Sequence, residues 1–299
     1  MKPTLLILAA GMASRYGSMK QIDGFGPNGE TIIDYSIYDA IKAGFGKVVF
    51  IIKEEFVENF RSIFEPKLKG RIETDYVFQN FDLKQFGIEE EIYREKPWGT
   101  AHAILSGRNV INEPFCVINA DDYYGYDAFK KMVDFLSTEA SDSNFSIVGY
   151  QIGKTLSDFG SVSRGVCKTN AAGYLEEITE RTQVYKKGEA IVYEEGGIEY
   201  PLDFETPVSM NFWGFTPSVF KLTEDLFKIF ALENKDKPKA EFFIPLIGEN
   251  LVRTGTASFK VVPTSNQWFG VTYKEDKPFV QDSINQLIQD GTYPTSLWQ

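Results

Sequence analysis

The chain has 299 residues, with 42 acidic side chains against 31 basic ones and a net charge of −11. Hydrophobic residues make up 43% and charged residues 24%, an ordinary globular composition that excludes disorder, collagen and coiled coil. The acidic balance disfavours a general nucleic-acid or membrane-surface role. Two cysteines, Cys116 and Cys167, build neither a disulfide framework nor a four-thiolate zinc site, and the single histidine, His102, excludes a histidine-rich metal centre.

In chain order, the run from Leu5 to Ala10 comes first. It falls short of the roughly 18 apolar residues of a membrane span. It is also short for a signal peptide and is soon followed by Arg15. A buried first strand is therefore expected, ending at Gly11, and with it a cytoplasmic location. Gly, Ser, Asn and Pro dominate from Gly11 to Gly29 and predict a long, functional loop. Ile33, Ile37, Ala40 and Ile41 recur at helical spacing before Gly44. Val48–Ile52 reads as a second buried strand, followed by a helix near 54–64, a strand at Tyr76–Phe78 and a helix from Thr100. Phe115–Ile118 is a fourth strand, ending in Asn119-Ala120-Asp121-Asp122, and a helix near 128–136 follows. This alternation predicts an α/β fold with a mainly parallel sheet and helices on both faces. From Phe145 onward strand-like runs dominate, with helices near 219–231, 242–251 and 283–288. No flexible linker separates the halves, so a single domain with two lobes is expected.

Three segments carry chemistry. Leu8–Gln21 leads from a buried strand into a small-residue loop holding Arg15 and Lys20. Small residues let backbone N–H groups approach phosphate oxygens, and the cations neutralise their charge. A surface turn with two solvated charges is the alternative. The loop lacks both the Walker ending and the dinucleotide Gly-x-Gly-x-x-Gly pattern. The second segment is Asp121-Asp122, at a strand end where open α/β sheets bind ligands. A carboxylate there suits Mg²⁺ beside substrate phosphates, and equally suits a helix N-cap. The third is Pro97–Ala103, in which Gly99 precedes a helix start and permits close approach of a base or phosphate. His102 reads as a packed helix residue.

These segments, in this order, resemble the sugar nucleotidylyltransferase family. Its members join a nucleoside triphosphate to a sugar 1-phosphate and release pyrophosphate. The resemblance rests on Leu8–Arg15 with Lys20, on Gly99–Ala103 and on Ala120-Asp121. It continues through Phe159-Gly160-Ser161-Val162, Leu175–Arg181 and Met210–Phe215, spanning residues 4 to 220. It implies a three-layer α/β/α Rossmann-like fold with a mainly parallel, mixed central sheet. A nucleotide-binding lobe would cover 1–140, and a sugar-phosphate lobe with C-terminal helices 141–299. Arg15, Lys20 and Asp121 would be catalytic, with Asp121 holding Mg²⁺. Leu8, Ala10, Gly11, Gly99 and Thr100 would line the nucleotide together with them. Gly160, Glu180, Arg181 and Asn211 would bind the sugar phosphate. The partners implied are the two substrates, with neither nucleic acid nor membrane; a homo-oligomer is compatible with the sequence.

The chain departs from the family in three places. The stretch between Arg15 and Lys20 is shorter than in the thymidylyltransferases. The family's base-reading Gln is replaced by Arg94, five residues before Gly99. Arg is donor-only, so it would favour a base edge rich in acceptors such as cytosine, or else be a surface charge. The second metal-binding Asp of the family's Trp-x-Asp is replaced by Gly270. Competing readings are a cytidylyltransferase for a non-sugar phosphate such as phosphocholine, a nucleotide-sugar glycosyltransferase, and a non-catalytic nucleotide-binding regulatory subunit. The glycosyltransferase would be expected to carry Asp-x-Asp, but position 123 is Tyr.

Overall fold

The structure, a computed structural model, describes residues 1–11, 24–271, 273 and 275–299. Arg15 and Lys20 lie outside the described residues. The first apolar run forms β1 (Thr4–Leu8). Helix α1 (Ile32–Ala43) starts after Thr31, whose backbone N–H donates to Asp34 at 2.8 Å, and stops at Gly44, where φ is 111°. Strand β2 (Lys47–Ile52) follows. The next helix opens as a 3₁₀ turn at Glu54–Phe56 and continues as α2 (Val57–Leu68). Then come β3 (Glu73–Phe78), α3 (Thr100–Ile104), β4 (Phe115–Asn119), β5 (Asp122–Tyr123) and α4 (Tyr126–Thr138).

The second half supplies β6 (Asn144–Gln151), β7 (Val162–Thr169), β8 (Leu175–Lys187), β9 (Ala190–Glu195), β10 (Ile198–Leu202) and β11 (Pro207–Phe215). It ends with α5 (Ser218–Glu233), α6 (Ile244–Arg253), β12 (Ser258–Thr264), β13 (Phe269–Gly270) and α7 (Asp276–Gln289). Strand β10 is absent from the sequence reading. It is a largely exposed edge strand that contains Pro201 and pairs with β9, so it carries little hydrophobic signal.

An eleven-stranded sheet runs in the order β10-β9-β8-β7-β11-β4-β1-β2-β3, with β6 beside β11 and β12 beside β6. The β4-β1-β2-β3 block is parallel throughout. Strand β11 joins β4 antiparallel, and the β7–β10 meander extends the sheet beyond it. Period-two alternation splits the strands between two cores. Leu5, Ile7, Val48, Phe50, Cys116 and Ile118 face one core, with Ile37 of α1, Phe60 and Phe64 of α2, and Phe129 of α4. Leu6, Val49, Ile51, Phe115 and Val117 face the other, with Ile104 of α3, Phe227 of α5 and Ile247 of α6. These are the three expected layers.

A small third core joins the β5/β13 ribbon to α7 and the C-terminal segment through Tyr35, Tyr123, Phe269, Ile284 and Tyr293. Asp34, fully buried, receives Lys67 Nζ and Trp298 Nε1, each at 2.9 Å, and so fastens α1, α2 and the C-terminal segment together. Among the described residues, the carboxyl end of β4 opens beside β7, β8 and β11.

Candidate active site

At that opening lies a cavity of about 510 Å³, and its wall includes Asn119, Asp121, Asp122, Arg164, Glu180, Asn211 and Trp268. Five strands contribute, so residues far apart in sequence converge at one end of the sheet. Asn211 sits at an irregularity in β11, between Ser209 and Trp213. Its φ is +60°, the only positive value outside glycine among the described residues. Asn tolerates this left-handed conformation better than most residues. The break in the ladder leaves Asn211 on the cavity wall.

Asp121 and Asp122 follow β4 directly. Asp122 Oδ2 accepts from Asn119 Nδ2 at 2.8 Å and from the Tyr124 hydroxyl at 3.2 Å. That hydroxyl also accepts from the Asn119 backbone N–H and shares its single proton between Asp122 and the Met210 carbonyl, 3.0 Å away, which locks the strand end to β11. Desolvation, and then the neighbouring Asp121 charge, push the Asp122 carboxyl well above the usual carboxylate range. Glu180 is also raised by the protein atoms around it, although it keeps contact with solvent, and Arg164 opposes the rise.

The donor set fits the divalent cation implied by the resemblance. Mg²⁺ is held by one or two carboxylates plus substrate phosphates and water, not by an all-protein cage. Asp121, with the Asp122 carboxylate beside it, could meet that need, and no cluster of three or more metal-ligating side chains occurs among the described residues. Gly270, which stands where the resembled family carries its second metal-binding Asp, offers no carboxylate and pairs with Asp122 across the β5/β13 ribbon.

Leu8, Ala10 and Gly11 stand at the carboxyl end of β1, and Gly11 is exposed. Gly99 has φ of 101°, and a Cβ there would stand 2.6 Å from the Phe242 carbonyl oxygen, so its glycine is required by the approach of another backbone segment. Thr100 Oγ1 accepts from the Ile244 backbone N–H at 3.2 Å, joining α3 to the start of α6. Gly160 lies beside the Tyr273 hydroxyl and is not part of the cavity wall described above. Arg181 is engaged by Glu195 of β9 at 2.9 Å and lies over the Tyr193 ring at 4.3 Å.

Arg94 is half-buried, and its guanidinium is engaged by protein partners. Its guanidinium lies 3.9 Å from the centre of the Trp98 ring. It donates to the carbonyls of Lys237, at 2.9 Å, and of Ala240, tying the 94–98 segment to the loop after α5. His102 is buried among Phe81, Phe86 and Phe227. Burial, with the charges of Arg108 and Arg94, holds it down at about 3, so it is neutral at physiological pH. Its Nδ1 lies 3.1 Å from Gln79 Nε2, while Nε2 has no partner among the described residues. Gln79 follows β3 at the same end of the sheet, and its amide can present both a donor and an acceptor.

Sequence reasoning missed Arg164 as a site residue. It is 6% exposed, lies over the Trp268 ring at 4.9 Å and shares the cavity wall with Asp121 and Asp122. Its one sequence signal was an arginine between the small and apolar residues of Val162–Cys167.

Solved structures share the fold, two of them as follows. The inositol-1-phosphate CTP transferase from T. maritima superposes with a TM-score of 0.62 at 14% identity, covering 96% of this chain and 97% of its own. A UDP-glucose pyrophosphorylase complexed with UDP-glucose gives 0.59 at 16% identity, covering 96% and 99%. No curated protein matches the chain in sequence. The family model described as nucleotidyl transferase matches residues 6–271, and with that span the chain belongs to the nucleotidyl transferase family.

Proposed function

We propose that the protein is a Mg²⁺-dependent nucleotidyltransferase that joins a nucleoside triphosphate to a sugar 1-phosphate and releases pyrophosphate. The observation that carries this reading is the convergence of Asp121, Asp122, Glu180 and Asn211 on one cavity at the carboxyl ends of the strands. The pairing of nucleotides with sugar or polyol phosphates in the names of its structural relatives supports it. An acceptor phosphate oxygen attacks the α-phosphorus in line. The new P–O bond forms as the α–β bond breaks, and pyrophosphate carries the electron pair away. No covalent enzyme intermediate is required, so catalysis is positioning and charge neutralisation.

In this reading Arg15 and Lys20 hold the triphosphate over the amides near Ala10 and Gly11. Asp121 would hold the metal, which when bound would neutralise phosphate charge, while Asp122 beside it holds the strand end. Glu180 and Asn211 accept and donate hydrogen bonds to acceptor hydroxyls, and Gln79 offers its amide to the base. The test is a matrix of the four nucleoside triphosphates against several sugar 1-phosphates and phosphocholine, read as pyrophosphate release with and without Mg²⁺. Release only with both substrates and metal is expected. Sugar transfer from a nucleotide sugar, with no pyrophosphate formed, would replace this reading with a glycosyltransferase.

A further inference from the structure

We propose that Arg164 is the residue that receives the anionic phosphate of the acceptor. This rests on the function proposed above and names the group that fixes its second substrate. Burying a guanidinium is costly unless its charge is matched. Arg164 is almost fully buried, yet no ion pair engages it among the described residues. Its protein contacts are neutral: Nε donates to Thr155 Oγ1 at 3.0 Å, Nη1 to the Ser163 carbonyl at 2.7 Å, and Nη2 to the Thr155 carbonyl. A guanidinium has five N–H groups, so two remain after these three bonds.

The charges that do act on Arg164 come from Asp122, Glu180 and Asp276, at longer range. Burial draws its pKa down to about 10, and it remains a cation at physiological pH. Two carboxylates, Asp121 and Asp122, share its cavity, so the wall combines a metal-type donor set with one fixed cation. A phosphate monoester seated in this cavity would offer its oxygens to the remaining guanidinium N–H groups, beside the carboxylate that would hold the metal. Such a planar fork suits phosphate better than a hydroxyl. The neutral bonds to Thr155 and Ser163, with the Trp268 ring beneath, hold the fork in place before substrate arrives. Arg181, the cation expected here from the family pattern, is drawn away to Glu195 and Tyr193.

The test is calorimetric titration of the full chain with α-D-glucose 1-phosphate, inorganic phosphate and glucose. The wild type is expected to bind the two phosphates and not the free sugar. Arg164→Gln should weaken both phosphates roughly 10- to 100-fold. Arg164→Lys, which keeps the charge and loses the fork, should fall between. Affinity for the best of the four nucleoside triphosphates should be unchanged in both variants. Equal phosphate affinity in Arg164→Gln and wild type overturns the assignment while leaving the function intact, as does a loss that falls on Arg181→Gln instead. A parallel loss of nucleotide and acceptor affinity marks Arg164 as purely structural and also overturns it. If Arg164→Gln does not fold, the same comparison is made on Arg164→Lys. A wild type that binds neither phosphate and releases no pyrophosphate with any sugar phosphate refutes the proposed function itself.

Discussion

The carboxylate of Asp122 fills the space that a side chain at position 270 would need: a Cβ on Gly270 would stand 2.6 Å from Asp122 Oδ1. The two residues face each other in register on the short β5/β13 ribbon. Gly270→Ala should therefore force the Asp122 carboxylate aside, with an overpacking cost of about 1–3 kcal/mol. The companion change Asp122→Gly should relieve the strain, so the double variant should melt above Gly270→Ala alone. Additive melting temperatures would show that the two side-chain volumes do not compete.

Asp121→Asn should nearly abolish turnover, and Asp122→Asn should cost less. Asp122 already accepts from Asn119 and Tyr124, so part of its work is to hold the strand end. Loss of a metal-holding carboxylate removes several kcal/mol of transition-state stabilisation. Steady-state rates beside melting curves separate the two roles. Equal rate losses, or a drop in melting temperature for Asp121→Asn with no change in rate, would reverse the assignment.

Arg94→Gln should leave the relative kcat/KM for cytidine and uridine triphosphates unchanged. The guanidinium is committed to the Lys237 and Ala240 carbonyls and to the Trp98 face. The cost should instead be in stability, about 1–3 kcal/mol for charged hydrogen bonds lost. Gln79→Leu is the contrasting variant, expected to flatten the preference among bases. A base preference that moves with Arg94 and not with Gln79 would return base reading to the arginine.

Stability should fall as pH rises from about 4 to about 7, partly through Asp39. Burial pushes this carboxyl up to about 7, against the hydrogen bond from Tyr293 and the charge of Lys42. Its folded pKa lies above its unfolded one, so the folded state holds the extra proton in that window. The penalty grows until pH reaches the folded value and then levels off. At full extent it is on the order of 4 kcal/mol. Urea melts of wild type and Asp39→Asn between pH 4 and 8 measure the difference. Parallel curves would show that Asp39 does not titrate there.

Much of the scaffold was legible in the sequence, because its signals are local. Runs such as Leu5–Ile7 and Val48–Ile52 read as doubly buried strands, and they are. Gly44 ends α1 because glycine adopts positive φ without strain. The order of motifs gave the family, and Asp121, Glu180 and Asn211 do meet at one cavity. The tertiary structure decided what depends on partners distant in sequence. Arg94 is an anchor because residues 237–240 pass beside it, and Gly99 is a glycine because Phe242 does. Arg181 is spent on Glu195 of the next strand, and Arg164 is left as a buried cation on the cavity wall. A side chain's type follows from sequence, but its charge compensation is set by strand register and by the loops packed over it, which no local pattern encodes.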